Sequence, residues 1–148
     1  MSPGMADRVE RFLKGDRPDD VAFYLHQEGV GNIDALGEIG IQTDKGVVLV
    51  LPGDEGRSAF QRVTSLDPMD FAGIAMQNQG SVARDLTDGV CPAGTNHEHY
   101  AKFVFAFAEE HHPEMDGLYA EGDVIHGYAA CACGETYAEK WVADGRTD

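Results

Sequence analysis

The chain has 148 residues, which suits one domain and is short for two. Its 26 acidic and 11 basic side chains give a formal net charge of −15, which argues against nucleic-acid binding, because phosphate neutralisation needs clustered lysine and arginine. No apolar run approaches the length of about 18 residues that spans a bilayer, and the N-terminus lacks the apolar stretch of a signal peptide. We therefore expect a cytoplasmic protein with no membrane association.

The acidic excess is typical of adaptation to high salt. Repulsion among carboxylates destabilises a compact chain in dilute buffer and is screened when the Debye length falls to about 3 Å at molar salt. Only four lysines are present, Lys14, Lys45, Lys102 and Lys140. The alternative is an acidic protein that binds a basic partner. Salt adaptation leaves nucleic-acid binding open, although no residue pattern supports it.

The N-terminal part, residues 1–80, is predicted to be mainly helical. MADRVERFLK has one apolar helical face, and Pro18 with its following carboxylates suits the first turn of a second helix that ends near Gly29. EIGIQT and GVVLVLP, joined by an Asp-Lys-Gly turn, predict a hairpin. Two further helices are predicted, over residues 57–64 and from Asp67 to Gly80.

The C-terminal part, residues 91–143, has alternating apolar residues. This alternation predicts three strands of an antiparallel meander, in the segments HYAKFVFAFAEE, LYAEGDVIHGYAA and ETYAEKWVA. The sequence therefore predicts an α+β fold in a single domain, with the helical N-terminal half and its short hairpin packed on this three-stranded sheet.

Three cysteines and two histidines form the candidate site. Cys131 and Cys133 lie in CACGET between the second and third predicted strands, and antiparallel pairing brings the segment from Cys91 to His99 beside them. Zinc prefers thiolates and neutral imidazoles in a tetrahedron, so we expect a Cys3His zinc site completed by His97 or His99, which share one side of an extended chain. The alternatives are three buried thiols without metal, and a reducible Cys-x-Cys disulfide.

These residues carry a resemblance. The segment CPAG at residues 91–94 and CACG at residues 131–134 resemble a zinc ribbon, whose first knuckle usually has a second cysteine where this chain has Gly94. More of the chain resembles an uncharacterised family of small acidic proteins from salt-loving archaea. The segments that carry this resemblance are RPDDVAFYL, GVVLVLPGDEGR, KFVFAFAEE and GLYAEGDVIHGYAACACG. The resemblance covers most of the chain and implies a cytoplasmic acidic protein with a metal-binding tail.

Other motifs have ordinary interpretations. GDEG at residues 53–56 lacks the Gly-Lys-Ser/Thr ending of a phosphate loop, and its carboxylates repel phosphate. His111 and His112 are expected in a solvated turn, and His126 as a packed or edge residue of a strand.

No serine lies in a nucleophile elbow, and no helical His-Glu-x-x-His is present. We therefore expect a non-enzymatic accessory or regulatory protein, with a structural zinc site and an unidentified protein partner. The alternative is a metal-dependent hydrolase or deaminase-like enzyme with Glu98 or Glu135 as base.

Overall fold

The structure is a computed structural model that describes residues 4–14, 19–26, 40–43, 45–83, 86–87, 89–92, 100–109, 114 and 123–143. Within these ranges the helices are α1 (Gly4–Leu13), α2 (Gly53–Thr64) and α3 (Pro68–Ala75). The strands are β1 (Asp20–His26), β2 (Ile41–Gln42), β3 (Gly46–Pro52), β4 (Ser81–Val82), β5 (Gly89–Val90), β6 (Ala101–Glu109), β7 (Val124–Cys131) and β8 (Thr136–Val142).

A six-stranded antiparallel sheet organises the described residues. Its strand order is β2-β3-β1-β6-β7-β8, and β4 and β5 form a separate two-stranded ladder. The central strand β1 pairs with β3 on one side and with β6 on the other, so that Phe23 lies between Leu49 and Phe105. The sheet is therefore held together by residues that are far apart in the sequence.

The predicted fold class is wrong, because the chain is rich in sheet rather than divided into a helical half and a three-stranded meander. Residues 20–26, predicted as part of the second helix, form β1, and all seven are buried. The sequence of a strand that is covered on both faces is a continuous apolar run without alternation, and DVAFYLH is largely such a run. The three C-terminal strands do pair in order, but as half of the larger sheet.

Each face of the sheet has its own apolar core. The α1 face carries Tyr24, Val104 and Ala129, which pack with Phe12 of α1. The opposite face, here the α2 face, is covered by α2 and α3. On it Phe60 of α2 lies at the centre of an aromatic cluster, with ring centroids 5.0–5.9 Å from the following residues: Phe23, Phe71, Phe103 and Phe105.

The edge strand β8 is bordered by the chain that follows α3. The Ala138 N–H donates to the Asn78 carbonyl at 2.9 Å, and the Ala138 carbonyl accepts from the Gly80 N–H at 3.2 Å. The Asn78 side chain also donates to the Thr136 carbonyl at 3.0 Å. Segment 78–80 thus satisfies backbone groups that an edge strand would otherwise expose.

A β-bulge interrupts the start of β6. Ala101 is paired with Cys131 and Phe103 with Ala130, so Lys102 is an extra residue in the β6–β7 ladder. Because of this shift, Ala101 is buried in the core of the α1 face, whereas Phe103 belongs to that of the α2 face. Bulges commonly re-aim side chains next to functional sites, and this one lies beside the cysteines.

None of the helices within the described ranges is both long enough and apolar enough to cross a membrane.

Candidate metal centre

The turn between β7 and β8 presents two of the cysteines. The Cys131 N–H donates to the Glu135 carbonyl at 2.8 Å, and the Gly134 N–H donates to the Cys131 carbonyl at 3.0 Å. Gly134 has φ of +102°, a conformation that favours glycine and that closes three-residue hairpin loops. This tight turn brings Cys133 back beside Cys131.

The third cysteine arrives from a distant segment. Cys91 directly follows β5, which pairs with β4, and the Val82 N–H of β4 donates to Glu139 of β8 at 2.8 Å. Gly89 of β5 lies so close to the Tyr137 hydroxyl that a Cβ atom there would clash. The β4–β5 ladder is thereby fixed against β8, and Cys91 is buried next to the hairpin turn.

The three sulfur atoms are arranged as metal ligands would be. The Sγ atoms of Cys91, Cys131 and Cys133 all lie within 4.8 Å of one another, and the Cys91 and Cys133 Sγ atoms are 3.7 Å apart. A zinc–sulfur bond of about 2.3 Å places two ligands of a tetrahedron about 3.8 Å apart. The donor set and its spacing therefore fit a tetrahedral thiolate-binding metal such as zinc.

The environments of the thiols differ. Cys91 and Cys131 are buried and Cys133 is exposed. Burial raises the pKa of the Cys131 thiol to about 11, whereas a hydrogen bond from the Glu135 backbone N–H lowers the pKa of Cys133. Since thiolates are the ligand form, metal binding here must release protons.

His97 and His99 lie outside the described residues. The chain nevertheless enters and leaves this segment at the cysteines: Pro92 follows Cys91, and the Tyr100 carbonyl accepts from the Ala132 N–H at 2.9 Å. The described residues on either side of this segment, Pro92 and Tyr100, therefore lie next to the cysteines. The choice of His97 or His99 as the fourth ligand stays a prediction.

A further histidine near this end of the sheet, His26 at the end of β1, was not among the predicted site residues. Its side chain is buried, and its ring centroid is 4.3 Å from that of Tyr100. Within the described ranges, the cluster with metal-ligand spacing contains the three cysteines and not His26. The sequence pattern does not indicate the position of His26, because it predicts a helix over DVAFYLH, and a helix would not place His26 beside the start of β6.

Among the residues expected to be ordinary, His126 occupies β7 on the α2 face, away from the cysteines. Of the two bases considered for an enzyme, Glu98 is outside the described residues. The Glu135 carboxylate accepts from the Asn78 side-chain amide at 3.3 Å.

Comparison with known proteins gives one match. Residues 40–144 match a family described as "Family of unknown function (DUF5807)". The searches of curated proteins and of solved structures give no match. The resemblance to an uncharacterised family is confirmed, whereas the haloarchaeal origin and the likeness to a zinc ribbon stay predictions.

Proposed function

Because the chain belongs to this family of unknown function, its role must be argued from its own residues, and we propose that it is a non-enzymatic zinc-binding accessory or regulatory protein. The zinc is held by Cys91, Cys131, Cys133 and either His97 or His99. The convergence of three Sγ atoms within 4.8 Å carries this proposal.

The sulfur spacing favours a metal over the two alternatives. A Cys-x-Cys disulfide would join Cys131 to Cys133 through an S–S bond of about 2.05 Å, whereas all three cysteines are free in the structure. Buried cysteines that only fill space have no reason to converge from separate segments with an exposed thiol among them. Soft thiolates with an imidazole favour zinc over harder cations such as magnesium.

The zinc is expected to be structural. It would tie the segment after β5 to the β7–β8 hairpin, whose residues are about 40 positions later in the chain. Four protein ligands leave no open position for a substrate or water, which is the usual arrangement of thiolate-rich structural sites. The chain would then act through a partner protein, by offering a surface that the metal keeps folded.

The acidic composition supports salt adaptation as part of this proposal. The chain has 26 acidic and 11 basic side chains, which gives a formal net charge of −15. The ion pairs on α1, such as Arg11 with Asp7 and Lys14 with Glu10, are largely exposed. Exposed pairs of this kind add little stability, so screening by salt has to offset the repulsion.

The test is the metal content and coordination of untagged protein purified in molar KCl. We expect one zinc per chain, and X-ray absorption showing three sulfur neighbours and one nitrogen. Cys131→Ser should lose the metal. Of His97→Ala and His99→Ala, only one should weaken zinc binding, and His111→Ala is the matched control that should not.

Three outcomes would contradict the proposal in different ways. Less than about half an equivalent of zinc would favour three metal-free thiols over the tetrahedral site. Three sulfurs with an oxygen neighbour would indicate an open position and favour the metal-dependent enzyme. Zinc binding that is unchanged in both His97→Ala and His99→Ala would exclude either histidine as the fourth ligand.

A further inference from the structure

A second cluster of functional side chains lies on the opposite face of the sheet and at the opposite end from the cysteines. Near the end of β6, Phe107 is paired directly with His126 of β7. Both residues lie on the α2 face, and both are only partly buried. Tyr128, two residues further along β7, is on the same face.

The three aromatic rings are nearly parallel. Phe107 and His126 have ring centroids 5.0 Å apart at an interplanar angle of 22°. Tyr128 lies 5.8 Å from Phe107 at 22° and 6.4 Å from His126 at 7°. Parallel packing with offset rings is the arrangement to which a further planar ring can be added.

These rings line a cleft of about 440 Å³, within the usual range of small-molecule sites, about 300–1,000 Å³. Met76 and Gln79, from the chain after α3, form one wall. Met76 is largely exposed, with a relative exposure of 66%, and its flexible side chain can adapt to a bound molecule. The lining combines these apolar and aromatic groups with three charged side chains, Glu109, Glu139 and Lys140.

The polar groups of the cleft are placed by strand pairing. Glu109 Oε1 accepts from Nε2 of His126 at 2.6 Å, which fixes the orientation of the imidazole ring. Burial lowers the pKa of His126, although Glu109 opposes this effect. The imidazole thus stays uncharged near neutral pH, and Lys140, the cross-strand partner of His126 on β8, supplies a cation to the cleft.

We propose that this cleft binds a small planar aromatic anion, whose ring adds to the stack of Phe107, His126 and Tyr128 and whose anionic group lies at Lys140. Aromatic rings and one cation are the groups that such a ligand requires. The two carboxylates of the cleft are already engaged, because Glu109 pairs with His126 and Glu139 accepts from the Val82 N–H. The site does not share a residue with the metal centre, so it stands independently of the zinc proposal.

The first experiment titrates the full-length protein with adenosine 5′-monophosphate, which combines a planar ring with an anionic group. Molar KCl is used because it shortens the Debye length to about 3 Å, so that the net negative charge does not hide a direct contact. We expect saturable binding at about 1 mM or tighter, with amide shifts in the NMR spectrum at residues 126–128 and 138–140. Adenosine should bind more weakly, and inorganic phosphate should not bind detectably.

The second experiment uses variants. Phe107→Leu keeps an apolar side chain but removes a ring, and should weaken binding about tenfold, since stacking on an aromatic side chain is worth about 1–3 kcal/mol per base. Lys140→Gln should weaken binding about threefold, as expected for an exposed charge. The matched control is Lys102→Gln, the same change at the far end of β6, which should leave the affinity unchanged.

The proposal is overturned if the nucleotide does not saturate the protein, or if its shifts map elsewhere. It is also overturned if Lys140→Gln and Lys102→Gln have equal effects, or if Phe107→Leu, with an unchanged Tm, binds like the natural sequence. Inorganic phosphate that binds as tightly as the nucleotide would show that the rings take no part, and would equally refute it.

Discussion

Cys131→Ser should abolish the stabilisation that zinc gives to the β7–β8 turn. Cys131 is fully buried, and its backbone accepts from Gly134 and donates to Glu135 within that turn. Serine preserves the shape of the side chain while replacing the thiolate with a poor zinc ligand. The variant therefore tests the metal bond rather than the packing.

The magnitude follows from linkage between binding and folding. With free zinc buffered at about 1,000 times its Kd, a site that is present only in the folded state stabilises the protein by about 4 kcal/mol. For a domain of this size such a gain raises the Tm by about 8–16 °C. Cys131→Ser should show no zinc-dependent rise. In the absence of zinc it should have a somewhat lower Tm than the natural sequence, because the serine hydroxyl replaces a thiol that is fully buried and burying a hydroxyl costs free energy.

Hydrogen exchange locates the effect. Three backbone N–H groups next to the cysteines donate hydrogen bonds to carbonyls. Cys131 donates to Glu135, Gly134 to Cys131, and Ala132 to Tyr100. Zinc should slow the exchange of these amides in the natural sequence and leave them unchanged in Cys131→Ser. Equal zinc-dependent protection of both proteins, or protection confined to amides away from this turn, would refute a metal bound by Cys131.

Three other predictions concern the turn, the surface charge and the α2-face cleft. Gly134→Ala should lower the free energy of unfolding, measured by chemical denaturation, by about 1 kcal/mol. A Cβ atom at Gly134 would meet no neighbour, but its φ of +102° is strained for alanine. An unchanged free energy of unfolding would contradict this strain. The Tm should rise between about 0.1 and 3 M KCl as the Debye length shrinks, and a constant or falling Tm would show that repulsion among carboxylates does not limit the stability. Glu109→Gln should lower the pKa of His126 further, because the Glu109 carboxylate stabilises the charged imidazolium and glutamine does not. An NMR titration of His126 that shows an unchanged or higher pKa would disprove the pairing of these two residues. Because the folded-state pKa of His126 lies below the ordinary 6.5, its contribution to stability is present above that pH and is lost as the pH falls and the unfolded chain takes up the proton.

The approach of Cys91 to the hairpin cysteines could be anticipated from sequence. Alternating apolar residues in β6 and β7 indicate neighbouring antiparallel strands, and Ala101 indeed pairs with Cys131. This pairing fixes where the segment from Cys91 must end. The fourth ligand could not be fixed in the same way, because an extended chain presents His97 and His99 on the same side.

The central strand could not be predicted from local pattern. Pro18 and the carboxylates after it resemble a helix start, and a strand buried on both faces lacks the alternation that identifies a strand. The partners of Val21 are Leu51 and Phe107, and neither is visible in a local window. Tertiary packing decided the outcome there, as it also did for the surroundings of His26 and His126.

The bulge at Lys102 gives the start of β6 one residue more than its partner strand needs. Ala101 lies opposite Cys131 and Phe103 opposite Ala130, with Lys102 between them. Removing Lys102 would leave a regular ladder with both pairs and both faces unchanged. Removing Ala101 instead would place a larger side chain, from Lys102 or Tyr100, at the buried position opposite Cys131. The strand beside the metal centre should therefore accept a deletion at residue 102 but not at residue 101.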